Sequence, residues 1–365
     1  MKVATPLSLC RTLDASSVPD EKPGADDAAR SPDFLGRLPV PLRRPFKAGL
    51  DKTVARHLAA SGERLACRTL AGADWHTSFD RLSTLPAERL PAMLATTLHS
   101  DLFAPALLSH YTPTQASPAL PLHPACEAAG LRDERGIFQS FALVPFVFLI
   151  DEKRLKGRPA PRRWDDLLDP MWADEIVFGG WRHDEDSAYQ DYNAYLLLCL
   201  YREYGEAGLV AFSANVRHLQ HNIRTATQTG SNSRQVGAIA ILPWLQAELC
   251  PRRERTRVVW PEDGALIMPI SWLVKRGAEE KAAPLAAYLA GAELGAMLTR
   301  NAYPPTLLAA GAADAYPDNI CLKWPGWEYF HGGSMAEDSA TAAAIFFTAW
   351  YARHEPHTLE MTCSS

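Results

Sequence analysis

Several signatures of common chemistry are missing from this sequence. It has no GxxxxGKS/T phosphate loop, no GxGxxG, no HExxH and no GxSxG. Those absences remove the usual nucleotide-binding, metalloprotease and serine-hydrolase readings. The seven cysteines, Cys10, Cys67, Cys126, Cys199, Cys250, Cys321 and Cys363, are scattered and form no CxxC pair. Such spacing fits neither a zinc site nor a disulfide framework, and it is what a reduced compartment tolerates. No uninterrupted apolar run approaches the roughly 18 residues of a membrane span. Charge of one sign is not in excess either: 37 basic against 42 acidic residues give a net charge of -5. That balance excludes the basic footprint of a nucleic-acid binder.

What is present is an ordinary globular composition, 47% hydrophobic and 22% charged, over 365 residues. At roughly 100–200 residues per domain this length suggests about two domains. Residues 1–32 are rich in Ala, Asp, Pro and Ser without an apolar period, and read as a flexible arm. The N-terminus VATPLSLC is too short and too interrupted for a signal-peptide core. Read literally, it places the protein in the cytoplasm. A misassigned or trimmed start would place it in the periplasm.

After the arm, strand-like and helix-like stretches alternate. FLGRLPVPLR is strand-like. Phe46, Leu50, Val54 and Leu58 then recur every fourth residue, with Gly62 at the expected helix end. GIFQSFALVPFVFLID reads as one or two buried strands, with Pro145 marking a break or a crossing. WDDLLDP is a helical turn, and EIVFGG a strand running into glycines. SAYQDYNAYLLLCLYREYGEAGLVAF is a helix, a glycine break and a second helix. VGAIAILPW is a buried strand, and RVVWPEDGALIMPISWLVKRGA gives two strands around a turn. EEKAAPLAAYLAGAELGAML is helical, and TAAAIFFTAWYARH is a terminal amphipathic helix. The alternation implies an α/β fold with mostly parallel pairing. The pattern divides into a first lobe, 33–145 with 258–365, and an inserted second lobe, 146–257.

Candidate ligand residues lie where strands run into helices. In open α/β sheets, ligands sit beyond the carboxyl ends of strands, where helix N-termini attract anions. FGGWRHDEDSAYQDYNAY is such a junction, offering Trp181, Arg182, Ser187, Tyr189 and Tyr192. The same stretch also reads as a solvated loop with its tyrosines packed on their own helix. His183, Asp184, Glu185 and Asp186 are consecutive, so their side chains point apart and read as a solvated face rather than a metal site. Arg43 and Arg44 lie at another strand-to-helix junction and suit a carboxylate or phosphate. Thr97, His99 and Ser100 follow a strand. His99 and Asp101 lack a nucleophile, which favours ligand bonding or helix capping over catalysis. Glu262 sits in the WPEDG turn, where it either bonds a ligand amine or simply shapes the turn.

Three stretches in order resemble one family. PRRWDDLLDPMWADEIVF, RVVWPEDGALIMPISWLVKRGA and EEKAAPLAAYLAGAELGAML are similar to segments of type II periplasmic solute-binding proteins. These are the ABC-transporter substrate-binding proteins of the iron, polyamine and phosphonate cluster. The resemblance implies two α/β lobes with a ligand cleft between them, a small-molecule ligand and an ABC permease partner. It carries no catalytic residue, so no enzyme activity is expected. Neither a cofactor nor a tightly held metal is expected, and the chain is expected to be a monomer that enters no membrane. The arginines point to an anionic ligand. A cytoplasmic ligand sensor or partner protein on the same fold is the second reading, and an enzyme on that fold the third.

Overall fold

The computed structural model describes residues 31–70, 81–98, 100–113, 119–179 and 190–354; for residues 100, 101 and 190–193 only the backbone is described. Ten strands are present among them: β1 Phe34–Arg37, β2 Cys67–Thr69, β3 Met93–Thr97, β4 Gln139–Asp151, β5 Ile176–Gly179, β6 Val216–Gln220, β7 Ile239–Pro243, β8 Thr256–Val259, β9 Ala265–Val274 and β10 Leu322–Lys323. The described helices are α1 Arg43–Ser61, α2 Pro105–Leu108, α3 Pro124–Ala128, α4 Gln190–Asn215, α5 Asn222–Gln228, α6 Trp244–Glu248, α7 Glu279–Leu289, α8 Ala292–Arg300, α9 Trp327–His331 and α10 Met335–His354.

The strands follow one path, β2-β1-β3-β9-β4-β7-β5-β6, with β10 on β9 and β8 on β4. Two parallel sets stand at its ends. β2, β1 and β3 pair in parallel, and so do β7, β5 and β6. Between them run β9 and β4, which pair antiparallel with each other and with the set on their own side. This is the two-lobed α/β fold that the alternation implied, with β4 and β9 crossing between a first-lobe and a second-lobe sheet.

β4 shows how the crossing works. Its residues up to Pro145 pair with β9, and from Phe146 onward they pair with β7 and β8. The strand runs on through Pro145, which marks a crossing and not a break. The partner changes at that residue. Pro269 of β9 pairs with Leu143, so both crossing strands carry a proline within the same short ladder. Beyond the crossing β4 is buried on both faces. Phe148 and Ile150 face the main core, while Val147 and Leu149 join Ala240, Leu242 and Ala247 in a smaller cluster. Double burial is why this stretch reads as an unbroken apolar run.

Local chemistry fixes several ends. Gly62 closes α1 at φ 75°, a left-handed conformation that costs glycine nothing. Gly205 interrupts α4 at φ 67°, where the glycine break was read. The two family-like motifs dock on each other. Trp164 is fully buried and its indole N–H donates to the Gly264 carbonyl at 2.9 Å, while Asp263 accepts from its backbone N–H at 3.3 Å.

Two boundaries differ from the sequence expectation. β8 pairs with β4 through Val259, so the returning chain leaves the second-lobe sheet later than residue 257. The terminal helix α10 packs on α4 and not on the first lobe. Its Phe346 meets Phe178 and Phe212 at 5.9 Å, and Trp350 donates to the Val216 carbonyl at 3.0 Å. Phe346 and Trp350, four apart, make one apolar face legible, but helical spacing does not say which partner covers it. Among the described residues, no single helix is long and apolar enough to cross a membrane.

Candidate functional site

The carboxyl ends of the parallel strands face the crossing from both sides. In the first lobe, β1 ends at Arg37 and β3 at Thr97. Arg37 pairs in register with Thr96, Thr96 with Ser271 of β9, and Ser271 with Ser140 of β4. Residues opposite each other in a sheet project to the same face. Four polar side chains therefore form a row across four strands, each only 1% exposed. The Ser140 and Ser271 hydroxyls meet at 3.0 Å, and Thr306 donates to the Ser140 carbonyl at 2.8 Å. The Thr96 hydroxyl has no protein partner. A guanidinium removed from water costs several kcal/mol, on the order of 2–5, unless its charge is met. Arg37 is a buried arginine at a strand end, and it has an interaction of its own within the chain.

The second-lobe edge is built differently. β5 ends at Gly179, directly beside Gln220 at the end of β6. Gln220 is buried. Its amide N–H donates to Gln228 at 3.0 Å, and its carbonyl oxygen has no protein partner. His221 caps α5 by accepting from the Ile223 N–H at 3.2 Å, and burial pushes its pKa below the ordinary value. β7 ends at Pro243, and α6 follows at once. On this second side, polar amides and short helix starts stand where the first side has a cation and hydroxyls.

The sequence candidates fall unevenly on this frame. Thr97 is buried at the tip of β3, beside the row. Arg43 and Arg44 are the first residues of α1, Arg43 half-buried and Arg44 exposed. Ser100 begins a short 3-10 turn, and Tyr192 lies in the first turn of α4; neither side chain is described. His99, Trp181, Arg182, Ser187 and Tyr189 lie outside the described residues. Glu262 forms an exposed ion pair with Arg162, beside the docked Trp164 turn. Its carboxylate is therefore already met. Sequence reasoning missed Arg37, Thr96, Ser140, Ser271 and Gln220. The available signal was a charged residue inside the strand-like FLGRLPVPLR.

A further hollow lies elsewhere. A cavity of about 370 Å3 opens at the amino ends of β1 and β3, lined by Asp33, Glu88, Lys275, Arg276 and Lys281. Its cations are committed: Lys281 to Asp33 at 2.5 Å, Lys275 to the Ala87 carbonyl at 2.8 Å, and Arg276 to the Ser109 carbonyl at 3.1 Å. It lies at the wrong strand ends for the ligand edge of an α/β sheet. Among the described residues, no three His, Cys, Asp or Glu side chains converge on a point that could hold a metal ion.

A model of the family described as bacterial extracellular solute-binding protein matches residues 96–331, well over half of the chain. The chain belongs to this family. The match runs from the tip of β3 through both crossing strands to the end of α9; it takes in Thr96, Ser140, Ser271 and Gln220 and begins after Arg37. Solute-binding proteins of this kind hold a small solute in the cleft between two lobes. No curated protein matches the chain by sequence. Solved structures share the fold. A Trichodesmium protein in complex with iron and citrate is 14% identical with a TM-score of 0.61, over 87% of this chain and 99% of that one. A Bordetella ferric binding protein is 15% identical with a TM-score of 0.58, over 87% and 99%. A periplasmic binding protein from Actinobacillus pleuropneumoniae, with fructose 6-phosphate bound, is 13% identical with a TM-score of 0.54, over 88% and 98%. The family is an extracellular one, and it lends no support to the cytoplasmic reading of the N-terminus.

Proposed function

We propose that this solute-binding protein captures a small solute bearing an anionic group and presents it to an ABC permease outside the cytoplasm. The cleft lies between a first lobe, residues 33–145 with the chain from about 260 to α9, and a second lobe of 146–259 that α10 joins. The observation that carries the anionic reading is Arg37, 1% exposed at the carboxyl end of β1 within a row of buried hydroxyl-bearing residues. A guanidinium offers a planar fork of donors to a carboxylate or phosphate. Arg43 and Arg44 at the start of α1 add positive charge after β1, and Arg182 is a further candidate cation by its position in the sequence. Thr97 stands at the tip of β3, and His99, Ser100, Trp181, Ser187, Tyr189 and Tyr192 are further candidate contacts by their positions in the sequence. Two structures with this fold hold anions, citrate in one and a sugar phosphate in the other. The protein acts as a monomer and turns nothing over.

Calorimetry tests this with citrate, ferric citrate, fructose 6-phosphate, inorganic phosphate and spermidine. An anion is expected to bind. Arg37→Met is expected to weaken it by about 2–5 kcal/mol, the usual cost of removing one partner from a buried charged contact. Tight binding of spermidine alone overturns the anionic reading, as does an Arg37→Met variant that binds like the wild type. Release of altered product from any of these compounds overturns the claim that nothing is turned over.

A further inference from the structure

After β10 the chain makes a short passage that touches both lobes. Trp324 donates to the Ala129 carbonyl at 2.8 Å, and Trp327 donates to the Leu131 carbonyl at 2.9 Å. His331 bonds Asp133 at 2.9 Å, with both side chains buried. Trp327 stacks on Phe138 at 4.9 Å. Those contacts all belong to the first lobe, since the α3 region is joined to the chain that follows α8 through the His123 N–H and the Thr306 carbonyl.

The opposite side of the same passage faces α4 of the second lobe. Lys323 pairs with Glu203 at 2.7 Å and with Asp263 at 3.0 Å. The Arg202 guanidinium lies 3.7 Å over the Tyr329 ring and 3.7 Å from Asp338. Tyr329 donates to Asp338 at 2.8 Å. Phe330, fully buried, is stacked between the lobes, on Phe103 at 5.4 Å and on Tyr195 at 6.4 Å. Four residues of one short helix thus divide between the lobes: Trp327 and His331 to the first, Tyr329 to the second, Phe330 to both. Beyond them α10 is packed on α4.

We propose that α9 is an interlobe wedge that sets the angle between the lobes, which makes the segment from Lys323 to Asp338 a third connection beside β4 and β9. Lobes joined by two strands alone rotate about them. A helix held by hydrogen bonds on one side and by a cation–ring contact and ion pairs on the other resists that rotation. The first-lobe attachment is buried and the second-lobe attachment is partly exposed, with Arg202 40% and Glu203 36% accessible. The wedge therefore rides with the first lobe and yields at Arg202 and Lys323. This rests on the reading that the lobes close over a solute, but its test needs none.

Distance distributions between labels at positions 58 in α1 and 223 in α5 report the lobe angle; Leu58 and Ile223 are both exposed. Labels carried by unnatural amino acids leave the native thiols alone. The solute-free protein is expected to give one narrow distribution. Arg202→Ala with Lys323→Ala is expected to broaden it or add a second population, and Lys47→Ala, which cuts an exposed pair within α1, is expected to leave it unchanged. Should the double variant melt early, Arg202→Ala alone decides, with Arg202→Lys expected to restore the narrow distribution. An unchanged distribution in a folded Arg202→Ala variant overturns the wedge. Broadening in a protein that binds none of the calorimetric probes keeps the wedge and removes the solute reading.

Discussion

The two strand edges that face each other across the crossing are made of different chemistry. The first-lobe edge is a rigid polar row, Arg37, Thr96, Ser271 and Ser140, laid across four hydrogen-bonded strands and buried throughout. The second-lobe edge has Gln220, His221 and the glycine end of β5, with helix starts immediately beyond. A charge fixed on sheet strands is pre-organised and loses little entropy when a ligand arrives. Under the proposed function, the contrast predicts capture by the first lobe and enclosure by the second.

The comparison can be broken by unequal damage. The largest expected effect is on stability. Trp164→Ala removes a fully buried indole and its bond to Gly264, and is expected to cost about 3–5 kcal/mol. Because that indole sits under the second lobe, hydrogen exchange should rise first in β5 to β7 and spare β1 to β3. Equal exchange in both sheets would mean that the lobes unfold as one unit. Next comes affinity. The Arg37→Met loss of about 2–5 kcal/mol should exceed that of Gln220→Ala, about 0.5–1.5 kcal/mol for a neutral hydrogen bond. Equal losses in calorimetry would erase the division between capture and enclosure.

A smaller effect tests the row itself. Ser271→Ala leaves the Ser140 hydroxyl buried without its partner at 3.0 Å, and should cost about 1–3 kcal/mol in denaturant unfolding. The paired change of Ser140 and Ser271 to alanine should recover part of that loss. A double variant no more stable than the single one would show that the hydroxyls serve something other than each other.

The smallest effect concerns acid. Burial by itself would raise the Asp133 pKa, but the bonds from His331 and from the Phe138 and Arg135 N–H groups outweigh it and hold the carboxyl below its ordinary 3.8. A carboxyl depressed in the folded state stabilises above its unfolded pKa, and that stability is lost as pH falls through the folded value. Melting temperatures should therefore drop more steeply below pH 3.8 in the wild type than in Asp133→Asn. Parallel curves for the two proteins would remove Asp133 from the acid response.

Much of the fold was legible because its signals are local. The four-residue spacing of Phe46 and Leu50 and the glycine at 62 specify α1 and its end without tertiary help. β6 was not seen, since VRHLQ is half polar and gains its place only by pairing with β5. The site was read less well than the fold. An arginine in a strand is expected to face water, and only register reveals that Arg37 lies in a buried row. Arg43, Arg44 and Thr97 stand at the ends of helices and strands, and such junctions are legible in sequence. The most suggestive junction, 180–189, falls outside the described residues.

The prolines of the crossing carry a mechanical consequence. Pro145 and Pro269 lie two pairs apart on facing strands, and neither nitrogen bears a hydrogen. A sheet resists bending because flexing it strains the N–H bonds that stitch its strands together. The Leu143 N–H turns away from β9 to the Pro304 carbonyl, so the Leu143–Pro269 and Pro145–Ile267 pairs are those whose backbone groups point out of the β4–β9 ladder. Both prolines therefore stand where that ladder needs no N–H, and they cost it no bond. The crossing keeps the stiffness of a sheet while its two rings withhold a donor from any further strand on its flanks.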